Sequence, residues 1–189
     1  MKNRCPWCES SDLYKAYHDT EWGVPLHNDN KLFEFLILEG FQAGLSWSTI
    51  LNKRDAFRKA FDGFNATKMA KYDDHKVEEL LQNEKIIRNK LKIKAAIHNA
   101  KLFLKIKEDY GSFDQYIWQF TNYKVIKNSW IKESDIPATS PESDAMSRAL
   151  KKDGFKFVGS TICYAYLQAI GAVNDHITSC YRYHEVEDK

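Results

Sequence analysis

The chain has 189 residues, of which 43% are hydrophobic and 29% are charged, and its formal net charge is +2. This is the composition of a globular protein with one sizeable core or two small lobes. Residues 1–7 carry early charges and no apolar segment, and no apolar run reaches transmembrane length, so the sequence argues against export and membrane anchoring. Four cysteines without an export signal are typical of a reducing compartment, and we expect a cytoplasmic protein.

Helical periodicity dominates the sequence and no run of alternating β-branched residues is found, so we predict an all-α fold. Asp29 or Asn30 can cap a helix through about Glu39, and Gly40 and Gly44 then interrupt its pattern. The chain has no internal repeat, low-complexity segment or long linker. The helices are therefore expected to build one continuous fold.

The middle of the chain contains four further predicted helices. Ser46 can cap the next helix, and Asn65 and Asp74 can cap two short ones. The longest amphipathic stretch covers about 88–109 and ends at Gly111, which acts as a C-terminal stop.

The last third of the chain contains one irregular segment between predicted helices. Ser112 can begin a helix, whereas residues 122–138 lack a clean period and are predicted to be irregular. Ser140, followed by a proline at the first helical position, is a strong start for a helix to about Lys152. After a short connection, Gly159 opens the last predicted helix.

Two pairs of metal-ligand residues lie at opposite ends of the chain, Cys5 with His18 and His176 with Cys180. His176 and Cys180 are four residues apart, which on a helix places both side chains on one face. Two cysteines and two histidines can complete a tetrahedral zinc shell, so we expect one structural zinc ion that joins the two ends of the chain. Two alternatives stay open: the residues are ordinary packing, or Cys5 and Cys8 form a C-x-x-C pair.

A glycine turn joins the last two predicted helices. Gly154 and Gly159 bracket it, Lys156 lies within it, and Ser160 and Thr161 begin the following helix. Such a turn presents free backbone N–H groups and the positive end of a helix dipole, which suits a phosphate. It resembles the helix-hairpin-helix motif, which grips the DNA backbone without reading sequence, although many proteins with such a turn bind nothing.

Basic residues cluster in two segments. The clusters are Lys85, Arg88, Lys90, Lys92, Lys94 and Lys101, and then Lys151, Lys152 and Lys156. We interpret them as solvated helix faces, with a nucleic-acid surface as the alternative.

Glu39 follows a run of apolar residues, so its own helical face is apolar and a carboxylate there is costly unless it is paired or functional. Stacked aromatic rings with one carboxylate can form a pocket for a flat cationic ring. The flanking segments supply Tyr14, Tyr17, Trp22 and Trp47. The alternatives are a surface ion pair for Glu39 and core packing for the aromatic rings.

Four strings together closely resemble the DNA-3-methyladenine glycosylase I (Tag) family of bacteria. They are Tyr17-His18-Asp19-Thr20-Glu21-Trp22-Gly23, Glu39-Gly40-Phe41-Gln42-Ala43-Gly44-Leu45-Ser46-Trp47, Gly154-Phe155-Lys156-Phe157-Val158-Gly159 and Val173-Asn174-Asp175-His176. The resemblance spans essentially residues 1–189 as a single domain. It implies an all-α helix-hairpin-helix fold, a structural zinc held by the four ligands named above, and excision of 3-methyladenine from alkylated double-stranded DNA.

The resemblance also implies roles for the pocket residues. Glu39 is then the catalytic carboxylate, which accepts a hydrogen bond from the exocyclic amine of the base, stabilises charge on the sugar or orients water. Tyr17 and Trp47 hold the ring, and Tyr14 and Trp22 shape the pocket. The nucleotide must be flipped out of the duplex to reach them.

Gly44 and Leu45 are candidates to fill the gap left by the flipped base, with core packing of Leu45 as the alternative. The sequence departs from the family at Phe41, where a polar residue is expected, and the effect of Phe41 on the fine shape of the pocket is left open. Asp175 lies beside a zinc-ligand candidate and is interpreted as structural.

Two other functions are also consistent with the sequence. One is a zinc-stapled module that binds alkylated DNA without cleavage, and the other is a zinc hydrolase with an open ligand position. No feature of the sequence indicates an oligomer, so we expect a monomer.

Overall fold

Nine α-helices and one pair of short strands make up the described part of this computed structural model, residues 2–186. The helices are α1 (Asp12–Thr20), α2 (Asp29–Gln42), α3 (Trp47–Ala60), α4 (Ala66–Met69), α5 (Asp74–Gln82), α6 (Lys90–Tyr110), α7 (Phe113–Trp118), α8 (Pro141–Lys152) and α9 (Ser160–Ala169). The strands are β1 (Ile126–Lys127) and β2 (Val173–Asn174). The predicted mostly helical fold is confirmed, and the strand pair is a small departure from all-α.

Short-range hydrogen bonds fix most helix starts where the sequence predicts them. The predicted caps Ser46, Asn65, Ser112 and Ser140 each accept a hydrogen bond from a backbone N–H three residues later. Two predictions are wrong by one residue: Asn28, rather than Asp29 or Asn30, caps α2, and Asp73, rather than Asp74, caps α5. In both cases the true cap has extended backbone angles and its successor is already helical.

Gly40 does not end α2, which continues to Gln42. A Cβ atom added at Gly40 would lie 3.4 Å from the Cβ atom of Phe157, so this glycine permits close contact between α2 and the segment before α9. Gly44, by contrast, has a φ of +78° and does lie beyond the helix end. The prediction that Gly40 interrupts the helix is therefore wrong.

Helix α2 lies at the centre of the core and packs against α3, α6, α7 and α9. Ten of its 14 residues are buried, so the helix has almost no solvated face and any polar side chain on it needs a specific reason. No helix within residues 2–186 combines the length and the apolar character needed to cross a membrane.

The segment 122–138 is mostly irregular, as predicted, but it is tied to the end of the chain. Strand β1 pairs in parallel with β2, with Ile126 opposite Val173. This pairing fixes the stretch that leads from β2 to His176.

Gly171 closes the fold by a close backbone contact. Its φ is +73°, and an added Cβ atom would lie 2.2 Å from the carbonyl carbon of Val24. Next to it, the N–H of Leu26 donates to the carbonyl of Ile170 at 3.0 Å. The segment after α9 is therefore held against the segment after α1.

We expect Gly171→Ala to lower the free energy of unfolding by more than about 3 kcal/mol, because the methyl group meets backbone atoms that cannot yield. The matched control is Gly63→Ala: Gly63 also has a positive φ, +66°, but nothing lies within 4 Å of its added Cβ atom. The control should cost about 1–2 kcal/mol from backbone strain alone. Urea denaturation measures both, and equal losses would contradict the steric argument.

Candidate functional site

An open cleft of about 220 Å³ lies where α1, α2, α3 and α9 meet. Its lining is mostly aromatic, with one carboxyl group. The lining residues are Trp7, Tyr14, Tyr17, Trp22, Glu39, Gln42, Trp47, Ile136, Ala165 and Gln168. The structure thus brings together all five residues that the sequence analysis assigned to the pocket.

Half of the lining was not predicted from the sequence. The ring of Trp7 lies edge-on to Tyr14 at 4.9 Å and to Trp22 at 5.0 Å, so it completes the aromatic wall. Gln42 lies three residues after Glu39 on α2, and this helical spacing could have identified it. Ile136 comes from the irregular segment, where no periodicity points to a site.

Glu39 carries the only carboxyl group of this lining, and it is 3% exposed. Among residues 2–186 its Oε2 atom has no hydrogen-bond partner. The other buried glutamate of α2, Glu34, is paired with Arg54 and Arg58 at 2.8 Å. Burial therefore raises the pKa of the Glu39 carboxyl to about 8, and it is mostly protonated at neutral pH in the empty pocket. The alternative of a surface ion pair for Glu39 is wrong.

Tyr17 and Trp47 add a polar and stacking surface to the cleft. The rings of Tyr17 and Trp47 lie 5.5 Å apart. The indole N–H of Trp47 is buried and lacks an acceptor within residues 2–186. Burial and the nearby Glu39 charge raise the pKa of Tyr17 well above its usual value, so its hydroxyl stays neutral. Among residues 2–186, the cleft thus offers a buried donor, the Trp47 N–H, and a buried acceptor, the Glu39 Oε2 atom, that have no partner.

Phe41 does not shape the pocket. Its ring lies 4.8 Å from Phe57 and 5.8 Å from Phe61, in the core on the other side of α2. Two residues along a helix correspond to about 200° of rotation, so Phe41 faces away from Glu39. Phe41 is therefore not part of the cleft lining.

The four metal-ligand candidates form one buried group, with their ligand atoms within 4.8 Å of one another. The Cys5 Sγ and Cys180 Sγ atoms lie 3.7 Å and 3.6 Å from His176 Nδ1, and Cys180 Sγ lies 3.4 Å from His18 Nε2. A tetrahedral zinc ion places such ligand atoms about 3.3–3.8 Å apart. The group therefore fits zinc. His176 and Cys180 lie on a loop after β2, so the loop rather than a helix face brings them together.

Outer hydrogen bonds orient both imidazole rings towards the group. His18 Nδ1 lies 2.9 Å from the Asp19 carboxylate, and His176 Nε2 lies 3.2 Å from the Trp22 carbonyl. These contacts leave His18 Nε2 and His176 Nδ1 as the ligand atoms. Hydrogen bonds from Arg4 hold the pKa of Asp19 well below its usual range, so this carboxylate stays ionised.

The two thiols of the group cannot both ionise easily in one buried space. A hydrogen bond from the Cys5 thiol lowers the pKa of Cys180, and the same bond raises the pKa of Cys5. A bound cation is what allows both to become thiolates. Cys8 lies outside the group and its thiol donates to the Cys5 carbonyl at 3.1 Å, which does not support the C-x-x-C alternative.

Helices α8 and α9 are joined by the predicted glycine turn, in which Gly154 has a φ of +95°. Helix α9 begins at Ser160 without a side-chain cap, whereas α1 to α8 each have one. The Ser160 hydroxyl donates to Asp144, so only its backbone N–H remains for an outside ligand. The side chains of Lys156 and Thr161 are exposed.

The loop after α2 is exposed beside the cleft. Leu45 is 40% exposed, so the alternative of core packing is wrong, and nothing lies within 4 Å of an added Cβ atom at Gly44. Lys92 is buried and donates to the carbonyls at the end of α2, which contradicts its interpretation as part of a solvated face.

Asp175 is structural, as the sequence analysis expected. It is fully buried and accepts hydrogen bonds from four side chains, which leaves it no role in the cleft beyond orienting Gln168. The donors are Asn128, Trp130, Tyr164 and Gln168.

We expect Glu39→Gln to stabilise the protein increasingly as the pH rises. The unfolded chain loses the Glu39 proton near pH 4.5, but the folded protein keeps it until about pH 8. The free energy of unfolding of the wild type therefore falls with rising pH between these values. The melting temperature of Glu39→Gln relative to wild type, and to the exposed control Glu108→Gln, should rise from pH 4 to a plateau above pH 8. A difference that does not change with pH would contradict the burial of an unpaired carboxyl.

Comparison with known proteins agrees with this geometry. The family model for methyladenine glycosylases matches residues 7–183. DNA-3-methyladenine glycosylase 1 of Escherichia coli (strain K12) is 47% identical over 177 residues, which cover 94% of this chain and 95% of that protein. A crystal structure of 3-methyladenine DNA glycosylase I superposes with a TM-score of 0.93 at 47% identity, covering 95% of this chain and 98% of the other.

A further solved structure, a variant of 3-methyladenine DNA glycosylase I in complex with 3-methyladenine, has a TM-score of 0.91 at 33% identity. It covers 95% of this chain and 96% of its own. These matches extend over nearly the whole of each chain. The protein therefore belongs to the methyladenine glycosylase family.

Proposed function

We propose that this protein excises 3-methyladenine from alkylated double-stranded DNA by hydrolysing the N-glycosidic bond, which leaves an abasic site. The observation that carries the proposal is the buried Glu39 carboxyl in an aromatic cleft of about 220 Å³, with an Oε2 atom that has no hydrogen-bond partner among residues 2–186. The relative solved with 3-methyladenine supports the choice of base.

Recognition follows from the charge of the damaged base. Methylation at N3 makes the purine ring of the nucleotide cationic, and a cation is attracted to the faces of Tyr17 and Trp47. The positive charge also favours the ionised form of Glu39, which can accept a hydrogen bond from the exocyclic amine. A normal adenine is neutral and gains less from each of these contacts.

The reaction needs little acid catalysis, because the base departs as a neutral molecule. The electron pair of the glycosidic bond goes to the base, and the electron-poor sugar carbon takes a hydroxyl group from water, which releases one proton. Once the cation is gone, the Glu39 carboxyl, with its pKa of about 8 in the empty pocket, can hold that proton. Glu39 thus responds to the charge that appears and disappears in the pocket.

DNA binding involves two exposed segments in this proposal. The uncapped start of α9 and the preceding turn form a helix-hairpin-helix that holds a backbone phosphate through N–H groups. The exposed Gly44 and Leu45 fill the gap in the duplex after the nucleotide has flipped out. We also propose that the protein acts as a monomer.

We also propose one structural zinc ion bound by Cys5, His18, His176 and Cys180. The distances between the ligand atoms and the orientation of both imidazole rings support it. Zinc would neutralise the two thiolates and join the chain ends. The ring of Trp22 lies 4.6 Å from that of His176 and also lines the cleft, so the metal group supports one wall of the pocket.

The two alternative functions differ from the proposed one in the product released and in the metal coordination required. A binding module would release no free base. A zinc hydrolase needs an open ligand position, but four buried protein ligands complete a tetrahedral shell and leave no position for water.

We expect Glu39→Gln to reduce the excision rate at least about 100-fold, because the amide cannot ionise in response to the cation. The assay is chromatography of free 3-methyladenine released from methylated DNA under single-turnover conditions. Glu108→Gln, which removes an exposed carboxylate of α6, should keep the wild-type rate. Absence of base release by the wild type would favour the binding module.

We expect Cys180→Ser to lose the bound zinc and to lower the melting temperature by at least about 10 °C. The matched control is Cys163→Ala, which changes a buried cysteine outside the metal group and should keep one zinc ion per chain. Elemental analysis and thermal unfolding measure both effects. Full zinc content in Cys180→Ser would show that the ligand set is wrong.

A further inference from the structure

Helix α6 contacts both exposed segments that face the DNA in the proposal above. Lys92 and Asn99 are seven residues apart on α6, so they lie on one face about 10 Å apart along the helix axis. Both side chains are buried. Lys92 reaches the loop after α2, and Asn99 reaches the turn between α8 and α9.

Lys92 holds the loop that carries Gly44 and Leu45. Its Nζ atom donates to the carbonyls of Phe41 at 2.9 Å and Ala43 at 2.5 Å. No carboxylate within residues 2–186 forms an ion pair with it, and burial lowers the pKa of its ammonium group. The two carbonyls at the negative end of α2 compensate for this cost, so the contact is specific rather than a diffuse surface charge.

Asn99 forms two hydrogen bonds with the backbone of the turn between α8 and α9. Its side-chain amide donates to the Lys156 carbonyl at 2.9 Å and accepts from the Lys156 N–H at 2.9 Å. The adjacent His98 ring contacts the Gly154 carbonyl at 3.0 Å. Both contacts anchor the turn to α6.

The turn is strained and packs against the helix of the pocket. Phe157 has a φ of +55°, which a bulky side chain rarely adopts. The Cβ atom of Phe157 lies 3.4 Å from the Cβ position at Gly40, the residue after Glu39. The turn, the loop after α2 and the Glu39 carboxyl are therefore all attached to the same two helices, α2 and α6.

We propose that Lys92 and Asn99 are positioning residues that set the spacing between the loop of Gly44 and Leu45 and the turn 154–159, so that both engage one duplex at once. Neither residue touches the base. The inference rests on the proposed function for the identity of the DNA surfaces, but the contacts themselves are properties of α6.

The test compares Lys92→Met, Asn99→Leu and the double variant with Lys101→Met. Lys101→Met removes an exposed charge from the same helix and controls for simple electrostatics. Affinity is measured by fluorescence anisotropy with a duplex that contains one tetrahydrofuran abasic-site analogue, which cannot be cleaved. Affinity for free 3-methyladenine is measured by tryptophan fluorescence, at a temperature where every variant is folded.

We expect Lys92→Met and Asn99→Leu each to bind the duplex at least tenfold more weakly than Lys101→Met, with unchanged affinity for free base. If Lys92 and Asn99 set a single spacing, the double variant binds the duplex no more weakly than the weaker-binding of the two single variants. Duplex affinity equal to that of Lys101→Met, equal losses for duplex and free base, or multiplied losses in the double variant would overturn the inference. A wild type that binds the duplex but releases no base would contradict the proposed function and leave the inference standing. If Lys92→Met does not fold, Asn99→Leu still tests the inference.

Discussion

The buried carboxyl of Glu39 is the constraint on which the rest of the pocket depends. Helix α2 carries two buried glutamates, and their carboxyl groups have different surroundings. Glu34 is neutralised by two arginines, whereas Glu39 faces a cleft and keeps its proton, with a pKa of about 8. A group left in this state destabilises the empty protein, and only a cationic partner in the cleft recovers that free energy.

The aromatic wall and the ends of the chain form one unit. Trp7 and Trp22 line the cleft, and Trp22 also accepts a hydrogen bond from His176 through its backbone carbonyl. Gly23 permits this arrangement, because an added Cβ atom would lie 3.0 Å from His176 Nε2. A zinc ion at the proposed site would hold this wall without taking part in the chemistry.

Features that depend on nearby residues could be predicted from the sequence. Helix caps such as Ser46 and Ser140 satisfy backbone groups three residues away, and the carboxyl of Glu39 is conspicuous because its neighbours are apolar. Features that depend on distant contacts could not. The contact that explains Gly40 is with Phe157, which is 117 positions away, and the burial of Lys92 depends on the end of another helix.

The same limit applies to the site. Trp7 and Gln42 lie close in sequence to predicted residues, but Ile136 and Gln168 reach the cleft only through the irregular segment and the packing of α9. The four-residue spacing of His176 and Cys180 predicts a shared ligand group, and the two residues do share one, on a loop rather than on a helix.

The most direct test of this account is a pH titration of the Glu39 carboxyl by carbon-13 NMR, with Glu39→Gln used to assign the signal. The account predicts that the carboxyl in the empty pocket titrates near pH 8. A transition near pH 4.5, the usual value for a glutamate, would show that the carboxyl is already solvated or paired and would contradict the proposed response to a cationic base.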